Sequence, residues 1–220
     1  MANSKTKKKK EKEDEKEDLT SYLVLNPPPN DPPKLRMIGL FEGLDEEKTG
    51  DICMAFLALK ELGMQEIYEN PEDLESPIKE IVYKPIDFYI STPGGTALGM
   101  FGIYDVMRMV REDCEINTYG FGRVMSAGVL LLASGTKGKR KIGKNCRVML
   151  HAVAGGNWGP IHNLENEMEE IRWIQEQHTQ ALVEETYLTK RHLKKMLDRK
   201  VDVYLNAEQA VEYGIADEII

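Results

Sequence analysis

The chain has 220 residues, 41% hydrophobic and 30% charged, a balance that fits one soluble globular domain with a sizeable core. Its formal charge of −8 is unevenly spread: residues 1–18 hold seven Lys and six acidic residues, leaving the other 202 residues, with 22 basic and 31 acidic, at −9. That negative excess excludes a large nucleic-acid footprint, and the lack of an uninterrupted apolar run of ~18 residues excludes a membrane-spanning helix. The first residues have neither the apolar core of a signal peptide nor the acid-poor composition of a transit peptide. Three cysteines, Cys53, Cys114 and Cys146, with no C-x-x-C pair argue against a disulfide framework or a structural zinc site. A soluble protein of a reducing, cytoplasmic compartment is expected.

Thirteen of the first 18 residues are charged, too many for the segment to bury a core, and a disordered tail is expected there. Half of the ten prolines fall within residues 26–33, which enforces an extended connection. Tail and linker therefore occupy 1–33, and a single folded domain spans 34–220. Within it, residues 35–41 read as a strand, 49–62 as an amphipathic helix, and 86–91 as a strand. Thr92-Pro93-Gly94-Gly95 breaks the pattern, 97–111 reads as a helix, and 115–120 as a strand. Alternation of this kind predicts repeated right-handed β-α-β units around a mainly parallel sheet, an α/β fold. Residues 63–84 are polar, carry Pro71 and Pro77, and read as a surface excursion.

One helix stands apart. Ile161, Leu164, Met168, Ile171, Ile174, His178 and Leu182 recur at three- and four-residue steps among glutamates. At about 1.5 Å per residue, a helix over 161–187 spans about 40 Å. It either folds back on its own core or projects to bury its stripe against another subunit, and the small size of the rest of the chain favours projection. His178 lies on the stripe and reads as a packed residue rather than a ligand.

Two glycine-bearing strand-to-helix junctions are the sites where free N–H groups would gather: Ser91-Thr92-Pro93-Gly94-Gly95-Thr96, and residues 120–128 with Ser126 near their end. The apolar run 129–135 then reads as a buried helix, with Ser126 at its N-terminus. A serine there is commonly a simple cap, and Val124 breaks the G-x-S-x-G spacing of the α/β-hydrolase elbow. Of the four histidines, His151 ends the apolar run Val148-Met149-Leu150 and precedes Ala154-Gly155-Gly156, so it can face a cleft. His162, His178 and His192 lie on charged helical stretches. Asp202, in the short β-prone segment 201–205, is a candidate to orient an imidazole, or a plain turn residue. Spacing alone leaves this constellation open.

Five collinear runs resemble the ClpP family, the serine peptidases of the caseinolytic ATP-dependent complex: Tyr89-Ile90-Ser91-Thr92-Pro93-Gly94-Gly95, Met125-Ser126-Ala127-Gly128, residues 135–140, Arg147-Val148-Met149-Leu150-His151 and residues 210–217. The resemblance extends from about residue 35 to 220. It implies a crotonase-like (ClpP/crotonase) fold with a protruding handle helix at 161–187. It also implies Ser126 as nucleophile, His151 as general base, Asp202 as the residue orienting the imidazole, and the Gly95 and Ala127 N–H groups as the oxyanion hole. No cofactor or metal is implied. The partners implied are polypeptide substrates, other subunits of the same or a second type in stacked heptameric rings, and an AAA+ unfoldase of the ClpX, ClpA or ClpC type. Ala127 stands where the family usually has Met, and Ala152-Val153-Ala154 where it usually has a polar residue and Pro. Residues 63–84 look like an insertion, and the proline-rich connection replaces most of the family's pore-forming segment. The resemblance implies a cytoplasmic protein, or one of the plastid stroma if it is organelle-encoded. The expected function is ATP-dependent serine endopeptidase; the alternatives are a catalytically inactive structural ring subunit and a crotonase-type enzyme acting on acyl-coenzyme A.

Overall fold

The computed structural model describes residues 35–70, 77–156, 158–197 and 201–220. The charged segment and proline run at 1–33 lie outside the described residues, as does the start of the expected domain at 34. The elements in chain order are β1 (Met37–Leu40), α1 (Glu46–Leu62), β2 (Met64–Tyr68), β3 (Ile78–Tyr83), β4 (Ile86–Thr92), α2 (Ala97–Arg111) and β5 (Ile116–Met125). There follow α3 (Ala127–Ala133), β6 (Arg140–Ile142), β7 (Arg147–Leu150), α4 (Ile161–Glu185), α5 (Lys190–Leu197), β8 (Val203–Leu205), α6 (Ala207–Glu212) and β9 (Glu218–Ile219).

Period-two burial makes the central strand: Ile86, Phe88, Ile90 and Thr92 of β4 are buried, with half-buried residues between them. Around it the sheet runs β1-β4-β5-β6-β9 with every neighbouring pair parallel, and β7 branches from β5 to pair antiparallel with β8. The architecture is a mixed α/β fold on a mainly parallel sheet.

Strand β5 extends past the expected end at 120, because it has two successive partners. Thr118, Tyr119 and Gly120 pair with β6, while Arg123, Val124 and Met125 pair with β7. Gly122, at φ 60°, makes the bend between the two halves without a Cβ penalty. The branch carries β7, and so His151, to the end of β5 where Ser126 sits.

The polar stretch 63–84, expected as a surface excursion, contains the antiparallel pair β2 and β3, largely exposed. Helix α1 begins three residues before the expected position, since the Asp45 side chain caps it by accepting from the Lys48 N–H at 2.9 Å. All seven residues of α3 are buried, and it forms the centre of the core with α2 and the sheet. Phe56 of α1 meets Phe88 of β4 edge-on at 5.3 Å, each ring fully buried.

Arg140 is the largest fully buried side chain among the described residues and ties the ends of several elements together. Its guanidinium donates to the carbonyls of Ala133, Glu185 and Gly214 at 3.2, 2.7 and 2.7 Å and pairs with Asp217. Helix α4 is buried only in its second half, at Ile174, His178, Thr179, Ala181, Leu182 and Glu185. Its first three turns bury no residue, and Ile161, Met168 and Trp173 are exposed.

Candidate active site

Two turns meet at the C-terminal ends of β4 and β5. In the first, the buried Thr92 hydroxyl donates to the Glu42 carbonyl at 2.6 Å and accepts from the Gly94 N–H at 3.0 Å. Leu44 clamps the same turn, its N–H donating to the Gly94 carbonyl and its carbonyl accepting from the Thr96 N–H. Both glycines are needed at these contacts. A Cβ on Gly95 would lie 2.0 Å from the Leu44 carbonyl oxygen, and one on Gly94, at φ 101°, 2.5 Å from the Ser126 Cβ.

The second turn holds Ser126 at φ 53°, ψ −120°, the one non-glycine residue with positive φ among the described residues. A backbone of this kind costs about 1–3 kcal/mol and persists only where surrounding contacts fix it. Here the Ser126 N–H donates to the Met149 carbonyl of β7 at 2.8 Å, and the Ser126 carbonyl accepts from the Val129 N–H at 3.0 Å. The strain aims the side chain away from the helix: Ser126 makes no side-chain cap bond, and its Oγ lies 2.7 Å from Nε2 of His151. The simple cap is thus replaced by a serine–histidine pair.

Asp202 precedes β8 directly. The β7–β8 register pairs Leu150 with Val203, which places Asp202 opposite His151 one position beyond the ladder. Directly opposed residues of an antiparallel pair have Cβ atoms about 4.5–5.5 Å apart. The Asp202 side chain is nevertheless exposed, and among the described residues it makes no hydrogen bond to His151. The geometry brings Ser126 and His151 together and leaves Asp202 opposite His151 in register, exposed and without a hydrogen bond to it.

Gly95, Ser126, Ala127 and His151 line one cleft of about 240 Å³, with Met100, Val153 and Ala154 as apolar wall. Among the described residues, neither the Gly95 nor the Ala127 N–H donates a hydrogen bond. Two backbone donors without a partner thus belong to residues that line the same cleft as the serine.

His178 of α4, read from the sequence as a packed residue, lines this same cleft. It is buried, yet neither ring nitrogen has a hydrogen-bond partner. Burial, and secondarily the nearby His151, push its pKa down to about 4, so the ring is neutral near pH 7. The helix is held against the strand end by Gln175, whose Oε1 accepts from the Val153 N–H at 2.7 Å. Periodicity marks His178 as facing inward; only the position of the cleft beside α4 distinguishes it from its apolar neighbours.

The family model for "Clp protease" matches residues 77–220. The chain belongs to the Clp protease family. It is similar to the ATP-dependent Clp protease proteolytic subunit 1 of Corynebacterium jeikeium (strain K411), with 31% identity over 185 residues, 84% of this chain and 87% of that protein. Both turns, the serine–histidine pair and Asp202 of this Clp protease family member lie within the matched residues, whereas β1, α1 and β2 precede them. Among the described residues no group of three or more His, Cys, Asp or Glu side chains is arranged to hold a metal ion. No helix among them is long and apolar enough to cross a membrane.

Proposed function

We propose that this chain is a serine endopeptidase that hydrolyses unfolded polypeptides and peptides, with Ser126 as nucleophile and His151 as general base. The observation that carries the reading is the strained Ser126 backbone holding Oγ 2.7 Å from His151 Nε2. As Oγ attacks a peptide carbonyl carbon, the hydroxyl proton passes to Nε2 and the carbonyl oxygen becomes an oxyanion that accepts from the Gly95 and Ala127 N–H groups. Collapse breaks the C–N bond, and Nε2 returns the proton to the leaving amine. Water then attacks the acyl-serine ester with His151 again as base, releasing the acid and restoring Ser126. Loss of one oxyanion donor typically costs about 10²- to 10³-fold in rate. Asp202 would complete the set by turning from solvent to accept from the other imidazole nitrogen.

The exposed apolar residues Ile161 and Met168 in the first half of α4 support a subunit contact there, the handle of a stacked-ring chamber in which this chain pairs with copies of itself or with a second subunit type. Residues 34–220 form the peptidase domain in this reading. A cytoplasmic AAA+ unfoldase of the ClpX, ClpA or ClpC type would deliver substrates.

A fluorophosphonate probe tests the chemistry. The expected result is one adduct on the wild-type chain and none on Ser126→Ala; equal labelling of both would reject Ser126 as nucleophile. A second reading, a structural ring subunit without catalysis, draws on the exposed and unbonded Asp202. It predicts a large particle that neither takes the probe nor turns over peptide.

A further inference from the structure

The segment that follows His151, Ala152-Val153-Ala154-Gly155-Gly156, carries no polar side chain, so its fixed points must come from its backbone and its neighbours. Among the described residues its backbone makes one hydrogen bond, from the Val153 N–H to Gln175 Oε1 at 2.7 Å. An N–H only donates, which fixes the Gln175 amide with its oxygen toward Val153. Its Nε2 donates to the Thr179 hydroxyl at 3.3 Å, and that hydroxyl donates to the Gln175 carbonyl at 2.8 Å, so the side chain is held from both ends. One turn earlier on α4, Ile171 packs close to Gly155, where a Cβ would lie 2.8 Å from the Ile171 Cδ1. Consecutive residues of the segment border two hollows. Val153 and Ala154 line the cleft with Ser126, whereas Ala152 lines a second cavity of about 260 Å³ with Gln175, Thr179 and Lys194. A strip of chain with so few hydrogen bonds depends for its shape on these contacts with α4.

We propose that Gln175 is a positioning residue: through the Val153 N–H it fixes the Val153–Ala154 wall of the cleft, so that a substrate lying against Ser126 meets a preformed surface. That the substrate is a peptide rests on the serine peptidase reading; the attachment of the wall rests on the cleft alone. Ser126 and His151 are held by other contacts, the bond to the Met149 carbonyl and the β7–β8 ladder, so a loosened wall weakens binding and leaves the serine–histidine pair in place. Losing one neutral hydrogen bond shifts an equilibrium by about two- to tenfold. A binding surface that is formed for only a fraction of the time lowers the apparent affinity by that fraction.

Gln175→Met keeps the length of the side chain and removes the amide oxygen, while Gln175→Glu keeps an oxygen that accepts from the Val153 N–H. In the full-length chain, Gln175→Met is expected to raise KM for a fluorogenic peptide about three- to tenfold, with kcat and the rate of fluorophosphonate labelling within about twofold of wild type. Gln175→Glu should return KM to within about twofold of wild type. An unchanged KM in Gln175→Met, a KM in Gln175→Glu as high as in Gln175→Met, or a fall in kcat and labelling at constant KM would each overturn the proposal. Site-resolved hydrogen exchange gives a second measurement. In wild type the Val153 N–H should exchange at least about tenfold more slowly than those of Ala154, Gly155 and Gly156, and Gln175→Met should lose that protection. Equal exchange of these amides in wild type overturns the proposal even if the methionine variant does not fold. A wild-type chain that neither takes the probe nor turns over peptide fails the peptidase reading. Exchange then decides for Gln175 by itself: protection lost in Gln175→Met sustains its role, and protection unchanged overturns it.

Discussion

Ser126 holds a backbone conformation that its own side chain disfavours, and the contacts that fix it come from three separate chain segments: Met149 of β7, Val129 of α3, and Gly94 packed against its Cβ. None of this is visible in the sequence, where a serine before an apolar run fits an ordinary cap equally well. Ser126, His151 and Asp202 stood out through a resemblance carried by whole motifs, because the physics of each residue alone supported several roles. His178 shows the complementary failure: its place on an apolar stripe gave its burial, but burial against a cleft and burial against a core have the same periodicity. The distinction has a measurable consequence. The folded protein keeps His178 neutral down to about pH 4, whereas the unfolded chain protonates it near 6.5. Between those values the unfolded state binds more protons, so this contribution to stability is fully present above about pH 6.5 and is lost as pH falls towards 4. Its full size is on the order of 3 kcal/mol. Denaturant unfolding across this window should show a shallower loss of stability in His178→Leu than in wild type; parallel curves would mean that His178 does not titrate as described.

At the scale of elements, most of the alternation of strands and helices was legible, since β4 and α2 each carry one clean periodicity. What escaped was pairing. The sequence of β5 looks interrupted by Gly120 and Gly122, but these residues let one strand serve β6 and then β7, and that branch places His151 beside Ser126. The pair β2–β3 was hidden by polar composition, because a largely exposed ladder needs no apolar face. Glycines in different elements should therefore respond in opposite ways. Gly50 lies inside α1 with open space where a Cβ would stand, so Gly50→Ala should stabilise the protein by about 0.5–1 kcal/mol. Gly94→Ala meets both a positive φ and the Ser126 Cβ, so it should destabilise by more than about 1 kcal/mol and abolish fluorophosphonate labelling. Equal Tm values for Gly94→Ala and wild type, with labelling intact, would show that the turn does not position Ser126.

For the whole molecule, the two halves of α4 have different surroundings. The second half is locked into the core, where Glu185 receives Arg111 at 2.7 Å and Lys137 at 2.9 Å; burial opposes its ionisation, but these partners hold its carboxyl below the usual range. The first half carries exposed Ile161 and Met168, and Trp173 at its end lines an open groove with Leu98, Phe101 and Tyr104 of α2 while staying more than half exposed. Length and periodicity made this helix legible from the sequence, whereas the subunit contact proposed for its first half is not encoded in the packing of a single chain. A serine peptidase that works in a ring ties activity to assembly. Size-exclusion chromatography with fluorogenic-peptide turnover read across the elution tests this most directly, with wild type and Ser126→Ala run side by side. Turnover should follow a particle several-fold larger than the 25.0 kDa chain and vanish in Ser126→Ala, whose elution is unchanged. Turnover that persists in Ser126→Ala, or a correctly assembled wild-type particle with none, would contradict a peptidase acting through Ser126.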